Sequence, residues 1–342
     1  MTILKKAHRV AVISASALAI LTGPVASAFA QDFTLKIAHV VPQGDPRDTA
    51  ARHVADMMNK SESCSIDATV YPSGQLGQTT DLIEGMQIGS VEAVVLPASF
   101  LVGFQPLMGL LDFPYFWPTN VETLLKLHES DAVRKLLDST ESNGVYSMAV
   151  WHTGYKQWTG NAALMAPKDY AGLRSRVMPS EILIKQQEAL GLTPVDMPFA
   201  ETYSALQSGA IDAQENPVPT IYSMQFQEVQ SDLMMTNHGN LDQIFMVSRK
   251  WYDGLTEDCR TALNDAVEEG RQVVVDETRR VEKKAMAAFE TQGIKIHTLT
   301  DDQIAVLREA TLPPVRALFI EKNGERGEEI LSLIEAEMST GK

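Results

Sequence analysis

An unbroken helical pattern from Glu257 to Glu290 constrains the fold of this chain more than any other stretch. Thr256 precedes it as an N-cap, Gly293 follows its end, and no proline lies inside it. A helix of about 34 residues is about 50 Å long, which exceeds the size of a single small lobe. The pattern therefore predicts one helix that spans two lobes, with two helices meeting at a kink at Gly270 as the alternative.

Strand-like and helix-like segments alternate along the preceding chain. The first series predicts strands at 35–39, 66–71 and 93–96, with helices at 49–59 and 78–88 between them. A second series begins near Val145, with strands at 145–151 and 193–197 and helices at 180–190 and 200–208. Because strands that alternate with helices form parallel, doubly wound sheets, the fold class is predicted to be α/β with two lobes.

The first thirty residues have the pattern of a secretory signal peptide. Three basic residues precede an apolar run at 10–21, which is shorter than the roughly 20 residues that a membrane anchor needs. Ala28 and Ala30 supply the small residues that a signal peptidase recognises, so cleavage is expected before Gln31. We therefore expect a soluble protein that is exported from the cytoplasm.

The charge and the cysteines narrow the class further. A net charge of -15, from 29 basic and 44 acidic residues, would repel phosphate backbones and argues against nucleic acid as a partner. Cys64 and Cys259 lack the spacing of a zinc site. In an oxidising compartment they form either a disulfide that closes a very long loop or two separate buried thiols, and the sequence leaves both open.

Known catalytic motifs do not occur in the sequence. It contains no G-x-S-x-G, H-E-x-x-H, P-loop or G-x-G-x-x-G motif, and its histidines are scattered. We therefore expect no enzyme activity, cofactor or metal. A secreted hydrolase or lyase that acts on an acidic substrate is a rival hypothesis, because catalytic groups can also come together only in the folded chain.

Two segments place polar residues in apolar surroundings. Arg174 and Arg176 lie in a predicted strand and are expected to point to opposite sides, so that one guanidinium can face a cleft and bind a carboxylate; the alternative is two solvated arginines. The polar run 212–216 ends at Pro217, so its amides either orient a ligand or cap the helix that Pro217 starts.

These segments resemble the signature region of the substrate-binding proteins of tripartite ATP-independent periplasmic (TRAP) transporters. The matching motifs are Gly-Leu-Arg-Ser-Arg-Val at 172–177, Ala-Leu-Gly at 189–191, Met-Pro-Phe at 197–199, Tyr-Ser-Ala-Leu-Gln-Ser-Gly at 203–209, Asp-Ala-Gln-Glu-Asn-Pro at 212–217, Thr-Asn-His at 236–238, Tyr-Pro-Ser-Gly-Gln-Leu-Gly at 71–77 and Phe-Pro-Tyr at 113–115. The resemblance covers nearly the whole mature chain.

The resemblance implies a two-lobed periplasmic binding protein fold with a ligand cleft between the lobes. Lobe I is expected at 31–153 and 242–281, and lobe II at 154–241 and 282–342. By the same resemblance, Arg176 forms a salt bridge with the carboxylate of the ligand, Asn216 helps to fix that carboxylate, and Phe199 forms an aromatic wall.

The chain departs from the family pattern at Lys156, where many members carry an arginine. Lysine keeps the charge but loses the planar fork, so it is expected either to meet a ligand oxygen as a point charge or to lie at the rim. Trp151 and Tyr155 lie in the same segment, and we expect both at the cleft.

Three further ligand contacts are candidates. Gln78 begins a predicted helix at a position where family members often present a polar contact. Asp242 is either a ligand contact or part of an ordinary salt bridge at a hinge. His39 ends the first strand, where ligands approach open α/β sheets, although a structural histidine is the alternative.

Together these features predict a periplasmic solute-binding protein that captures a small organic anion, a carboxylate, by domain closure. The resemblance implies that a monomer delivers this ligand to integral membrane TRAP permease subunits that use an ion gradient. A ligand-sensing extracytoplasmic module of a signalling receptor is the other alternative to this function.

Overall fold

The computed structural model describes residues 33–340, so the predicted signal peptide at 1–30 and its cleavage site lie outside the described residues. The strands are β1 Phe33–Ala38, β2 Ile66–Tyr71, β3 Ala93–Pro97, β4 Val145–Gly160, β5 Arg174–Val177, β6 Thr193–Asp196, β7 Gln214–Pro217, β8 Asp232–Met235, β9 Asn240–Ser248 and β10 Lys295–Thr298. The helices are α1 Pro46–Asn59, α2 Thr79–Ile88, α3 Val121–His128, α4 Asp131–Asp138, α5 Pro167–Tyr170, α6 Glu181–Ala189, α7 Thr202–Ser208, α8 Val218–Ser223, α9 Arg249–Gly254, α10 Glu257–Gln292 and α11 Asp301–Thr340, the last interrupted at Gly324. No helix in this part of the chain has both the length and the apolar character needed to cross a bilayer.

The strands form a mixed sheet in the order β10-β8-β4-β9-β3-β1-β2, with β7 beside β4 and a separate pair of β5 and β6. The prediction of α/β structure is confirmed, and β1 runs parallel to both β2 and β3 as expected. The prediction of purely parallel sheets is wrong, because β9 is antiparallel to both β3 and β4. Hydrophobic alternation identifies strands but carries no information on which strands pair or in which direction.

Strand β4 connects two groups of strands. Its part up to Tyr155 pairs with β9, and the part from Lys156 onward pairs with β7 and β8. The register shifts between His152 and Tyr155, and Gly154 there has a φ of 106°, a conformation that glycine adopts without strain. The predicted strand ended at Trp151, whereas the observed strand continues through this irregularity to Gly160. The proposed lobe boundary after residue 153 falls in the same segment and stays a prediction.

Helix α10 is one continuous helix of 36 residues, so the alternative of two helices is wrong. At about 1.5 Å per residue it is about 54 Å long. It packs against α1, β4 and α8. Leu263 and Val274 join a core cluster that contains Trp151, whereas Ala285 and Phe289 join a different cluster that contains Phe199. The two ends of the helix therefore stabilise two separate cores.

The disulfide that the sequence left open is present. Cys64, before β2, is bonded to Cys259, in the first turn of α10, across a sequence separation of 195 residues. Because the bond closes so long a loop, it restricts the unfolded chain strongly and attaches the start of α10 to the first strands.

Gly270 gives a test of this packing. Replacing a helical glycine with alanine ordinarily stabilises a helix by about 1 kcal/mol. At Gly270, however, a Cβ atom would lie 2.7 Å from Cζ2 of Trp151 and 3.0 Å from Cγ2 of Val54. Since overpacking costs about 1–3 kcal/mol, Gly270→Ala should lower the free energy of unfolding by about 1–2 kcal/mol in urea denaturation.

The matched control is Gly254→Ala at the exposed end of α9, where a Cβ atom would meet nothing within 4 Å. This change should leave stability within about 0.5 kcal/mol of the wild type. If Gly270→Ala proved as stable as the control, close packing would not be the reason for glycine at this position.

Candidate functional site

A small cavity lies where the carboxyl ends of several strands meet. The space inside it that a water-sized molecule can occupy is about 10 Å³, far below the range of about 300–1,000 Å³ that is common for ligand pockets. Its lining residues lie at or after the ends of β1, β3, β5, β6 and β7, with additions from α1 and β9: Val40, Arg47, Pro97, Phe100, Arg176, Met178, Phe199, Asn216 and Leu241. Ligands of open α/β folds bind at this edge of the sheet, which makes the cavity the candidate site.

Arg176 is the charged residue of the cavity lining that has no carboxylate partner among the described residues. The residue is 4% exposed, its Nε donates a hydrogen bond to the carbonyl of Met197 at 3.4 Å, and its guanidinium lies 5.5 Å above the ring centroid of Phe199. Burial lowers the pKa of Arg176 to about 10, although the charges of Asp196 and Glu215 act in the opposite direction. Within residues 33–340, no carboxylate forms an ion pair with it.

Arg174, two residues earlier on β5, has the opposite environment. Its side chain is 45% exposed and forms a forked pair with Asp212, from Nε at 3.0 Å and from Nη2 at 2.8 Å. Side chains two positions apart on a strand point to the same side, so strand alternation gives no basis for expecting the two arginines on opposite sides. Their surroundings differ instead: Arg174 pairs with Asp212 at the surface, whereas Arg176 lies in the lining of the cavity.

Asn216 and Phe199 complete the group that the structure brings together. Asn216, on β7, is buried, and its Nδ2 donates to Oε1 of Gln214 at 2.6 Å. Phe199 begins a short 3₁₀ turn and packs edge-to-face with Phe226 at 6.2 Å between ring centroids. The cavity therefore combines a cation, a neutral amide and an aromatic surface, which is a suitable set for a carboxylate attached to a small organic group.

Lys156 does not lie in the cavity lining. It is fully buried, and its Nζ donates to Oε1 of Glu215 at 3.1 Å. Oε2 of the same carboxylate accepts hydrogen bonds from Nε2 of Gln186 at 2.9 Å and from Nε2 of His238 at 2.6 Å. The structure therefore places this cation in an internal ion pair, because β4 and β7 are paired side by side and a buried ammonium needs an anionic partner.

The two aromatic candidates also lie elsewhere. Trp151 is fully buried in the core, where its Nε1 donates to the carbonyl of Val267 in α10 at 3.1 Å. The hydroxyl of Tyr155 donates to the carbonyl of Pro118 at 3.1 Å, and its ring packs against His152. Both side chains therefore pack against other parts of the protein, and neither lines the cavity.

Asp242 lies between two histidines. Its Oδ1 is 2.8 Å from Nδ1 of His152 and its Oδ2 is 3.1 Å from Nε2 of His128. Burial alone would raise the pKa of Asp242, but the two histidines outweigh it and hold the pKa well below its usual value. This arrangement corresponds to the salt-bridge alternative for Asp242 and not to a cavity contact.

Gln78 and His39 are likewise outside the lining. Gln78 is exposed at the start of α2, where its backbone N–H donates to Oδ2 of Asp81 at 2.9 Å. His39 is buried, with Nε2 3.3 Å from Oδ1 of Asp48. His39 thus follows the structural alternative, and the cavity begins one residue later, at Val40.

Arg47 is a lining residue that no sequence pattern singled out. It lies in the first turn of α1 and lines the cavity, with its Nη2 donating to Oγ1 of Thr220 in α8 at 3.1 Å. The available signal was Asp45-Pro46-Arg47, an N-cap and a first-turn proline directly after the first strand, where ligands approach the sheet.

In residues 33–340, no cluster of three or more His, Cys, Asp or Glu side chains is arranged to hold a metal ion.

Comparisons with known proteins identify relatives of this chain. Residues 37–322 match the family model described as bacterial extracellular solute-binding protein, family 7. A C4-dicarboxylate-binding periplasmic protein of Rhodobacter capsulatus is 32% identical over 302 residues, which cover 87% of this chain and 89% of that protein. The ectoine-binding periplasmic protein of Halomonas elongata is 26% identical and covers 95% of each chain.

Solved structures match equally broadly. A TRAP periplasmic solute-binding protein from Desulfovibrio salexigens with bound orotic acid has a TM-score of 0.88 at 30% identity, covering 91% of this chain and 100% of that one. A TRAP periplasmic solute-binding protein from Shewanella oneidensis with bound succinate has a TM-score of 0.84 at 26% identity, with the same coverage.

The buried carboxylate of Glu215 gives a testable pH dependence. Burial alone would raise its pKa, but Lys156 and His238 lower it from 4.5 to about 2. A lowered pKa stabilises the folded state above the usual pKa, and this stabilisation is lost as the pH falls from about 4.5 toward 2. Glu215→Gln should therefore lower the free energy of unfolding by about 3 kcal/mol at pH 7 and flatten its decline between pH 5 and 3.

Urea denaturation at a series of pH values measures both effects. Glu269→Gln, which removes a carboxylate that is 62% exposed on α10, is the matched control and should keep the pH profile of the wild type. Parallel profiles for Glu215→Gln and the wild type would contradict the assignment of this stabilisation to Glu215.

Proposed function

This chain belongs to bacterial extracellular solute-binding protein family 7 and shares the two-lobed fold of TRAP solute-binding proteins, and on that premise we propose that it captures a small organic acid through a carboxylate at Arg176. The family binds solutes and does not catalyse reactions, so the chain is a binding protein and not an enzyme. Its members work with membrane TRAP components, and we propose that this chain, as a monomer, delivers its ligand to TRAP permease subunits.

One observation carries the proposal. The guanidinium of Arg176 is buried and charged, and no carboxylate of the described residues pairs with it. A buried charge is costly unless it is paired and hydrogen-bonded. A ligand carboxylate would supply the missing anion and can accept two parallel hydrogen bonds from the planar fork.

The neighbouring residues have complementary roles. We assign Asn216 to a further hydrogen bond with the same carboxylate and Phe199 to the apolar wall behind it, since both line the cavity with Arg176. The named ligands of the similar proteins support an acid: C4-dicarboxylates for the Rhodobacter relative, and orotic acid and succinate in the two solved structures.

Closure around the ligand follows from the placement of these groups. Val40 and Pro97 follow or end strands of the proposed lobe I, whereas Arg176, Phe199 and Asn216 belong to the proposed lobe II. A ligand that touches both sets binds the closed form more tightly than the open one and shifts the population toward closure. The long helix α10, which joins both cores, is the element about which we expect that movement.

The two arginines of β5 provide a matched test of the site. A thermal-shift screen over organic acids first identifies a ligand, because a compound that binds only the folded state raises Tm. Calorimetry should then show that Arg176→Ala weakens binding at least about 100-fold, as two charge-assisted hydrogen bonds contribute about 1.5–3 kcal/mol each. Arg174→Ala should leave the affinity within about threefold, because its partner is Asp212 at the surface. Equal affinity of both variants would refute the role of Arg176.

We also propose that residues 1–30 direct export to the periplasm and are then removed. Family members are periplasmic proteins, and the described chain contains a disulfide, which an oxidising compartment supports. Expression of the full chain in a Gram-negative host should yield periplasmic protein whose N-terminus, measured by mass spectrometry, begins at Gln31. Retention of Met1 on protein from the periplasmic fraction would contradict the predicted cleavage.

A further inference from the structure

The two arginines that line the cavity differ in whether a carboxylate of the protein pairs with them. Besides Arg176, the cavity is lined by Arg47, whose guanidinium is held by Asp45. Nε of Arg47 donates to Oδ1 of Asp45 at 2.9 Å and Nη2 donates to Oδ2 at 3.2 Å. Both residues are buried, with exposed fractions of 3% for Arg47 and 2% for Asp45. The second cation of the cavity is therefore already neutralised by a carboxylate of the protein.

The pair between Asp45 and Arg47 is local and well supported. The two residues are two positions apart, and Oδ1 of Asp45 also caps α1 by accepting from the backbone N–H of Arg47 at 3.0 Å. Oδ2 accepts a further hydrogen bond from the hydroxyl of Ser223 at 3.1 Å. The hydrogen bonds between the carboxylate and the guanidinium join residues two positions apart, whereas the added contacts with Ser223 and Thr220 come from α8.

No other free cation reaches the cavity from the residues that the structure describes. Lys156 is paired with Glu215 and lies outside the lining. The remaining lining consists of the neutral amide of Asn216 and six apolar residues, Val40, Pro97, Phe100, Met178, Phe199 and Leu241. A second carboxylate on the ligand would be buried against this apolar surface or beside the carboxylate of Asp45, without a cation of its own.

We propose that this site selects a small monocarboxylate whose remainder is largely apolar, and that the pair of Asp45 with Arg47 disfavours dicarboxylates. The inference rests on the proposed function, in which Arg176 binds the first carboxylate. Arg47 keeps a limited role: its Nη1, which makes no hydrogen bond to the described residues, can donate to a neutral ligand oxygen such as that of a keto or hydroxyl group.

Matched ligand pairs test the selectivity in the wild-type protein. Each pair differs by the replacement of a terminal methyl group with a carboxylate: butanoate and succinate, 2-hydroxybutanoate and malate, 2-oxopentanoate and 2-oxoglutarate. Calorimetry should show the monoacid binding at least about tenfold more tightly in the pairs that bind, because the added carboxylate loses hydration without gaining a cation.

The possible outcomes separate this inference from the proposed function. A dicarboxylate that binds as tightly as its monoacid partner, or more tightly, would overturn the inference while leaving capture of an organic acid intact. Failure of every organic acid to bind at millimolar concentration would contradict both.

The variant Asp45→Asn tests the cause of the selectivity. Asparagine retains an oxygen that can cap α1, so the fold should persist, but the charge of Arg47 becomes uncompensated. The ratio of monoacid to diacid affinity should fall by about tenfold, since the freed guanidinium can form a charge-assisted hydrogen bond with a second carboxylate.

Asp138→Asn is the matched control for this variant. It changes the net charge equally by breaking a pair with Arg134 on α4, where the side chain of Asp138 is 51% exposed. The affinity ratio should stay at the wild-type value in this control. An unchanged ratio in Asp45→Asn, with circular dichroism showing an intact fold, would overturn the role of the pair.

Discussion

The buried guanidinium of Arg176 is the constraint around which the rest of this structure is arranged. A cation in an apolar cavity is tolerated only if an anion, hydrogen bonds or an aromatic face compensates its lost hydration. The protein supplies the ring of Phe199 and the carbonyl of Met197, but no ion-pair partner among the described residues. The lowered pKa of Arg176 expresses the same deficit, which a ligand carboxylate would remove. We propose that the carboxylate of the ligand takes the place of this missing partner.

The scaffold holds this group with two long elements. Strand β4 pairs with β9 in its first part and with β7 and β8 in its last, while α10 contributes to two separate cores. The close approach of Gly270 to Trp151 and the bond between Cys64 and Cys259 attach the first part of α10 firmly to one core. A hinged movement would therefore involve the middle of these two elements, where β4 changes its register near Gly154.

The chain as a whole is negatively charged, whereas the unpaired charge in the cavity, that of Arg176, is positive. The chain has a net charge of -15, which would oppose the approach of an anion over long distances. Solvent ions screen that field beyond about 10 Å, whereas a charge-assisted hydrogen bond acts at contact distance. Among the residues that the structure describes, the other buried cations are paired with carboxylates, Lys156 with Glu215 and Arg47 with Asp45. We propose that the pattern of internal pairs, and not the net charge, decides which anion the cavity accepts.

Much of the architecture followed from local patterns in the sequence. The helix from Glu257, the strand at 66–71 and the alternation of strands and helices were predictable because each depends on residues that are near one another in the chain. Family motifs identified Arg176, Phe199 and Asn216, which the structure brings to one cavity. The sequence by itself thus determined the α/β class, the long helix and three candidate contacts.

The tertiary structure decided the remainder. The antiparallel pairing of β9, the burial of Trp151 beneath α10, and the partners of Lys156 and Asp242 all depend on contacts between residues that are distant in sequence. Arg47 pairs with Asp45, which is near it in the sequence. It also donates a hydrogen bond to Thr220, which is 173 residues away in the sequence. A side chain's charge is known from the sequence, but whether that charge is free or neutralised is a property of the packed chain, because it depends on which groups share its low-dielectric surroundings.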